Sequence, residues 1–287
     1  MRHDQQPVPE LEPVPAPELG SVLAPLADRY AHWLGLDPAQ VVADREEATA
    51  DIRAMQLVLR MERADPPSWH RAVALAAGAA AAICLDERSA PGGEWHDAVL
   101  EYVRGHIRKV TRRARGAHWR AAQDLPGSTV TADGTQVRVL VPGPVADLDP
   151  RIGRLQVGGT DVPPDDPPDP PASAGDAGSP LRLWVPTGIP MTVGKAMAQA
   201  GHAGMILAAL CYRSGPPMSV RLAGWRDRGY PVTVRRVDAA EWSDLGRPMR
   251  NDQAAAWTEN GLLAVRDAGF TEVAPGTITV IARAPAD

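Results

Sequence analysis

The sequence predicts an α/β fold: a mixed four-stranded sheet covered by helices in the C-terminal domain, a smaller related α/β domain before it, and a helical N-terminal extension. Three observations support this prediction. Strand-like and helix-like patterns alternate along both halves of the chain. Asp133-Gly134 marks a hairpin in the first half. A Pro-rich stretch separates the halves, and 287 residues with 44% hydrophobic content suffice for two cores.

Composition divides the chain into five segments. The first 19 residues are rich in Pro and Glu, which predicts a disordered tail. Residues 158–180 consist mainly of Pro, Gly, Asp and Ser and contain no basic residue, as is typical of a linker. The predicted segments are the tail 1–19, a helical extension 20–53, an α/β domain 54–157, the linker 158–180 and a second α/β domain 181–287.

The elements of the first half follow from local patterns. MQLVLRME at 55–62 predicts a strand, and Pro-Pro-Ser at 66–68 begins a helix through the following alanines. Further predicted elements are a helix at about 94–104, a strand near 107–113, a short helix near 116–125 and a hairpin over 129–141.

The second half alternates in the same way. It begins with a strand at 181–185 and a long helix from about 193 to 212. The remaining predicted elements are a helix at 217–227, a strand at 232–237, a short helix capped by Asp238, a helix at 251–260 and two final strands at 262–267 and 277–283.

Charge and cysteine content restrict the cellular setting. Each α/β domain has a net charge of +3, which is compatible with a phosphate-bearing partner. Cys84 and Cys211 lie in apolar helical stretches and are expected to be buried thiols in a reducing compartment. The N-terminus lacks the apolar core of a signal peptide, and the longest apolar run, 72–85, is too short for a bilayer. We therefore expect a cytoplasmic protein outside the membrane.

The stretch PMTVGKAMAQAGHAGM at 190–205 contains the candidate functional residues. Lys195, Gln199 and His202 lie at i, i+4 and i+7 of the predicted helix and share one face. A lysine beside free backbone N–H groups favours an anion site, and Gly194 lets a ligand approach the backbone. Only two of the 30 basic residues are lysine, which favours a specific role for Lys195 over a solvated surface position. His202 is either a structural histidine, the commoner case, or a base.

Two segments resemble the signatures of a known family. MTVGKAMAQAGHA at 191–203 and DAGFTEVAPGTITV at 267–280 are similar, in order and separation, to those of the type II peptidyl-tRNA hydrolases. The resemblance covers essentially the whole second half and implies hydrolysis of the ester between a peptide and the 3′ end of tRNA. It assigns the family's functional residues to Lys195, Gln199, Asp267, Thr271 and Thr279.

The resemblance suggests a mechanism. Asp267 positions or deprotonates water, Lys195 stabilises the oxyanion or a phosphate, and Gln199 and the threonines orient the ester. Taken alone, Asp267 also fits a turn-capping carboxylate. The His, Cys and acidic residues show no metal-ligand spacing, so we expect no metal and no cofactor.

Basic residues are candidates for contact with tRNA. The second half has Val193 and Pro231 where the family usually carries basic residues. The stretch 104–120 contains seven basic residues and no acid, which favours either a solvated basic face or a surface for the tRNA backbone. The residues expected to bind the substrate are Gly194, His202, Arg235, Arg236, Arg108, Lys109, Arg112 and Arg113.

The two halves resemble each other. RKVTRRARGAHWRAAQDL at 108–125 is similar to PVTVRRVDAAEWSDL at 231–245, with Trp119 and Trp242 at the same offset. This pattern favours an ancient duplication in which 54–157 is a degenerate, catalytically silent copy, whereas chance similarity is the alternative. Because type II enzymes resemble two-fold dimers, we expect a monomer with an internal pseudo-dimer, or a homodimer.

Two other functions stay open at this point. Loss of the family charges favours a non-catalytic module that binds tRNA, whereas the intact Lys195, Gln199 and Asp267 oppose it. A hydrolase of another acyl ester on the same scaffold is the third hypothesis.

Overall fold

The structure is a computed structural model that describes residues 18–35, 47–48, 51–165, 179–269 and 272–286. The predicted tail, except for its last two residues, lies outside these ranges, as do much of the extension and most of the linker. Within the extension, the described elements are a 3₁₀ turn at Ser21–Leu23 and helix α1 at Ala24–Trp33.

The first half contains a mixed sheet with one long helix packed on it. The strands are β1 (Arg53–Arg60), β2 (Arg108–Ala114), β3 (Gly127–Ala132), β4 (Thr135–Leu140) and β5 (Gly143–Pro144). The helices are α2 (Trp69–Cys84), α3 (His96–Arg104), α4 (Gly116–Gln123) and α5 (Pro150–Gly153), with a 3₁₀ turn at Glu87–Ser89. The strand order is β2-β1-β4-β3, and β5 also pairs with β1.

The second half contains a four-stranded mixed sheet, as the sequence predicted. Its strands are β6 (Leu181–Pro186), β7 (Val232–Val237), β8 (Leu262–Arg266) and β9 (Ile278–Arg283), in the order β7-β6-β9-β8. Its helices are α6 (Val193–Ser214), α7 (Met218–Asp227), α8 (Ala239–Asn251) and α9 (Gln253–Asn260).

The two sheets have the same connectivity. In each half the first strand runs parallel to the second and antiparallel to the fourth, and the third strand is antiparallel to the fourth. The predicted duplication requires this agreement. It supports the duplication, which stays a prediction because common strand patterns can also converge.

Helices α2 and α6 pack against each other at the centre of the molecule. Both are rich in alanine, which favours helix formation and leaves little side-chain bulk between the backbones. Gly204 is the tightest point, because a Cβ there would lie well inside van der Waals contact with the Ala77 carbonyl oxygen. The apolar side chains of both halves therefore form one continuous core.

An edge strand of each half also packs against the long helix of the other half. Strand β2 lies against α6, and β7 lies against α2. On the second of these contacts, a Cβ on Gly78 would lie 2.8 Å from the Tyr230 carbonyl oxygen. This reciprocal packing is the arrangement that an internal pseudo-dimer requires.

The cysteines and the helices agree with the composition. Cys84 and Cys211 are free, buried thiols, as predicted. Within the described ranges, every helix is too short or too polar to cross a bilayer.

Candidate active site

Asp267 directly follows β8 and is held by a tight turn. Its carbonyl oxygen accepts a hydrogen bond from the Gly276 N–H at 2.7 Å, and its Oδ1 accepts one from the Gly269 N–H at 2.7 Å. Gly269 has a φ of 83°, a conformation that favours glycine, and a Cβ there would collide with Pro275. The turn therefore fixes the direction in which the carboxylate points.

Lys195 lies in the first turn of α6, which Thr192 caps. The Thr192 Oγ1 accepts a hydrogen bond from the Lys195 N–H at 3.2 Å. Thr192 in turn donates its own N–H and its hydroxyl to the two carboxylate oxygens of Glu272, at 3.0 and 2.8 Å. Glu272 thereby ties the loop after Asp267 to the beginning of the helix.

The predicted functional residues meet at this point. The Lys195 Nζ donates to the Asp267 Oδ2, and the Gln199 Nε2 donates to the same oxygen at 2.6 Å. The Gln199 Oε1 accepts a hydrogen bond from the Thr279 hydroxyl at 2.7 Å. The Lys195 and Asp267 side chains are only 10% and 5% exposed. One buried hydrogen-bonded chain thus joins α6, the end of β8 and the beginning of β9.

The structure bears differently on two other predicted site residues, Thr271 and Gly194. Thr271 lies outside the described residues, so its predicted role stays a prediction. Gly194 does permit a close approach, but the neighbour is the protein itself. A Cβ on Gly194 would lie 2.7 Å from the Thr160 Oγ1 and 3.5 Å from the Thr111 Cβ.

His202 is partly buried, and the charges of both lysines of the chain act on it. Burial, together with the charges of Lys109 and Lys195, lowers the pKa of its imidazole well below the ordinary value. A neutral ring at physiological pH fits the structural alternative, although its predicted part in substrate binding stays open.

Arg235 and Arg236 lie exposed at the end of β7. Arg235 forms an ion pair with Glu241 at 3.1 Å, whereas Arg236 stands over the Trp69 ring at 5.8 Å. Because β6, β7 and β8 all end at the same edge of the sheet, both arginines share that edge with Asp267.

The basic residues of β2 are bound by internal partners. Arg108 pairs with Glu47, and Arg112 donates to the Gln56 Oε1 and the Leu155 carbonyl, both at 2.8 Å. Arg113 donates to the Gln156 side chain and to the Gly158 carbonyl, the latter at 3.1 Å. Their predicted contact with tRNA stays a prediction, and each has a structural role as well.

Lys109 is partly buried between the halves. Its Nζ donates to the Tyr102 hydroxyl and to the Ile107 carbonyl, both at 3.2 Å. Its Cδ lies 2.8 Å from the position of a Cβ on Gly201. Burial lowers the pKa of the Lys109 ammonium to about 7. The titratable groups that interact with Lys109 from the neighbouring helices are Cys84 of α2, Tyr102 of α3 and His202 of α6.

We expect stability to rise from about pH 7 to pH 10 more steeply in the wild type than in Lys109→Met. In this range the unfolded chain keeps the lysine proton up to its ordinary pKa of 10.5, whereas the folded chain releases it near 7. The unfolded state therefore binds more protons, and folding becomes more favourable as the pH rises. Urea unfolding across this range measures the effect, with the exposed Arg120→Met as control. Equal pH slopes for wild type and Lys109→Met would contradict it.

The first half contains a counterpart of the Lys195–Asp267 pair. Arg71 occupies the helix position of Lys195, and its Nη2 lies 2.6 Å from Asp133, which directly follows β3. These side chains are 48% and 67% exposed, and Leu75 stands where Gln199 stands in α6. An open ion pair without the amide lacks the hydrogen-bonded chain, which agrees with the prediction of a silent half.

Three residues near the site were not predicted from the sequence. Glu272 lies inside the second motif, 267–280, but was not among the predicted functional residues. Thr111 and Thr160 come from β2 and from the predicted linker, far from Lys195 along the chain. Only the buried position of these polar residues, at 5% and 2% exposure, reveals them.

Fold and polar cluster together define the class of protein: an α/β domain with a lysine–carboxylate pair where its first long helix begins. The family model for peptidyl-tRNA hydrolase PTH2 matches residues 181–287. The chain is also similar to a peptidyl-tRNA hydrolase from Aeropyrum pernix, with 40% identity over 97 residues that make up 32% of this chain and 72% of that protein. The protein therefore belongs to the type II peptidyl-tRNA hydrolase family, and the resemblance of its motifs is confirmed.

Proposed function

We propose that the protein hydrolyses the ester between a peptide, or an N-blocked amino acid, and the 3′ end of tRNA. The observation that carries this proposal is the buried chain from Lys195 through Asp267 and Gln199 to Thr279. A turn-capping carboxylate needs only its own backbone partners, whereas Asp267 also receives an ammonium and an amide from a separate helix.

The proposed chemistry follows from the hydrogen-bonding capacity of these groups. A carboxylate has about four lone-pair sites. Described donors take three of them on Asp267: Lys195, Gln199 and the Gly269 N–H. A water bound at the remaining site is oriented for attack on the ester carbonyl carbon, and Asp267 takes up its proton. As the bond between that carbon and the 3′ oxygen of tRNA breaks, the proton passes to the leaving oxygen, so the products are the free acid and tRNA. Lys195 stabilises the negative charge that forms on the carbonyl oxygen, or a nearby phosphate. Gln199, held by Thr279, orients the ester.

We propose that tRNA approaches along the edge where β6, β7 and β8 end. Arg236 is exposed there and has no carboxylate partner among the described residues, so its charge is available to a phosphate. The family charges that this half lacks are those that would otherwise reinforce such a contact. This loss favours the runner-up function, a module that binds tRNA without cleaving it.

Replacing Arg236 by Ala is expected to raise KM for the tRNA substrate several-fold while kcat changes little. The slope of log affinity against log salt should fall by about one unit, because one phosphate contact is lost. Binding measured at several salt concentrations tests this. Arg182→Ala, at the opposite end of β6, is the matched control. An unchanged salt slope in Arg236→Ala would exclude this edge as the tRNA path.

One assay separates the three functions. Release of the acyl group is measured from N-acetyl-aminoacyl-tRNA, from the same aminoacyl-tRNA without the block, and from a small acyl ester. Preferential cleavage of the blocked tRNA supports the proposal. Binding without cleavage supports the non-catalytic module, and cleavage of only the small ester supports the third hypothesis.

The reciprocal packing of the halves supports a monomer that contains its own pseudo-dimer. The homodimer is the alternative, which sedimentation equilibrium tests directly. The proposed tRNA substrate supports the expected location in the cytoplasm.

A further inference from the structure

We propose that the first half and the beginning of the linker position the catalytic lysine, through Thr111 and Thr160, which reach the first turn of α6. This inference rests on the proposed function, since it gives Lys195 a catalytic role. It assigns the silent half a part in the reaction itself, separate from binding tRNA.

Thr111 makes a hydrogen bond to the helical turn that contains Lys195. Its Oγ1 donates to the Gly194 carbonyl oxygen at 2.8 Å, and the side chain is almost fully buried. That carbonyl belongs to the peptide group that joins Gly194 to Lys195. A hydrogen bond from the other half therefore fixes the orientation of this peptide group. The peptide group in turn sets the direction in which the Lys195 side chain leaves the helix.

Thr160 packs against the same turn from a second direction. It is buried, and its Oγ1 fills the space that a Cβ on Gly194 would need. Arg113 holds the preceding residues in place: its N–H donates to the Gln156 carbonyl at 3.0 Å and its side chain to the Gly158 carbonyl at 3.1 Å. The chain from 156 to 160 is thus attached to β2 on one side and to α6 on the other.

This arrangement is not repeated on the silent helix. Thr111 and Val234 each directly precede the paired arginines of their edge strands, but valine has no hydroxyl to donate to α2. The first turn of α2 is instead bound within its own half, where the Thr135 Oγ1 accepts a hydrogen bond from the Ser68 N–H at 3.0 Å. Among the residues that the structure describes, only the helix with the lysine accepts a hydrogen bond from a hydroxyl of the opposite half.

Thr111→Val in the full chain is the test, because valine keeps the shape and removes the donor. We expect the amides of residues 195–199 to exchange with deuterium about tenfold faster. We expect kcat to fall about tenfold with KM nearly unchanged, since only the placement of Lys195 is disturbed. Thr111→Ser should restore both. Thr135→Val, a buried threonine at the silent helix, should change neither.

A second pair of variants keeps the proposal testable if Thr111→Val fails to fold. Gly194→Ala should disturb the same amides, and adding Thr160→Ala should largely restore them, because it removes the oxygen that the new Cβ meets. If the wild type cleaves no ester, the proposed function fails, and exchange alone decides about the positioning. Exchange in residues 195–199 that is equal in wild type, Thr111→Val and Gly194→Ala would overturn the proposal.

Discussion

Replacing Asp267 by Asn is expected to lower the rate of ester hydrolysis by about three orders of magnitude. Asparagine keeps the size of the side chain but can neither take a proton from water nor neutralise the Lys195 ammonium across their buried contact. Single-turnover release of N-acetyl-amino acid from tRNA measures the loss. Lys195→Ala should lose activity by a comparable factor, because the two groups act as one unit.

The first half provides the matched control for this change. Asp133→Asn alters the carboxylate that directly follows β3 and pairs with Arg71, at the corresponding place in the sheet of the first half. We expect it to leave the rate within about twofold, since this pair is exposed and worth little. If Asp133→Asn and Asp267→Asn reduce the rate equally, the second half does not contain the reaction centre.

Gly204→Val is expected to destabilise the fold by about 3 kcal/mol or more, the largest change in stability that we predict for a single substitution. The new side chain would be forced against the Ala77 carbonyl at the closest approach of α2 and α6. That contact is backbone, so no side chain can rotate away to relieve it. Urea unfolding of the full chain measures the loss through the midpoint.

Gly224→Ala separates crowding from the general effect of removing a glycine. Gly224 lies within α7, and a Cβ there would meet only the Arg228 guanidinium, the mobile end of a flexible side chain, at 3.2 Å. We expect no loss and up to about 1 kcal/mol of gain, because alanine favours helix more than glycine does. A Gly204→Val protein as stable as the wild type would mean that the halves do not pack through these helices.

The sequence predicted the strands and helices closely because their patterns are local. Helix α6 was expected at about 193–212 and lies at Val193–Ser214, and the Asp133-Gly134 turn joins β3 and β4 as expected. The candidate site was recovered from two motifs. Its central residues, Lys195 in the first motif and Asp267 in the second, lie 72 positions apart. Their separation was recognised by resemblance, since no local pattern brings a helix start and a strand end together.

Other features depended on partners that local patterns do not contain. The run of basic residues in β2 suggested a surface for tRNA, yet Arg112 donates to Gln56 and to the Leu155 carbonyl. Composition assigned Thr160 to a linker, and the described residues 158–165 contain no helix or strand. Composition could not reveal burial, because the neighbour that covers Thr160 is Gly194 on a helix of the other half.

By itself, the sequence determined which segments become strands and helices, and it determined the family through Lys195, Gln199 and Asp267. Those properties depend on residues close along the chain or on a motif preserved as a unit. Tertiary structure alone decided which charges are paired, which polar groups are buried, and that the first half reaches the first turn of α6. Burial and pairing are properties of contacts between distant residues, so they are fixed only when the two halves pack together.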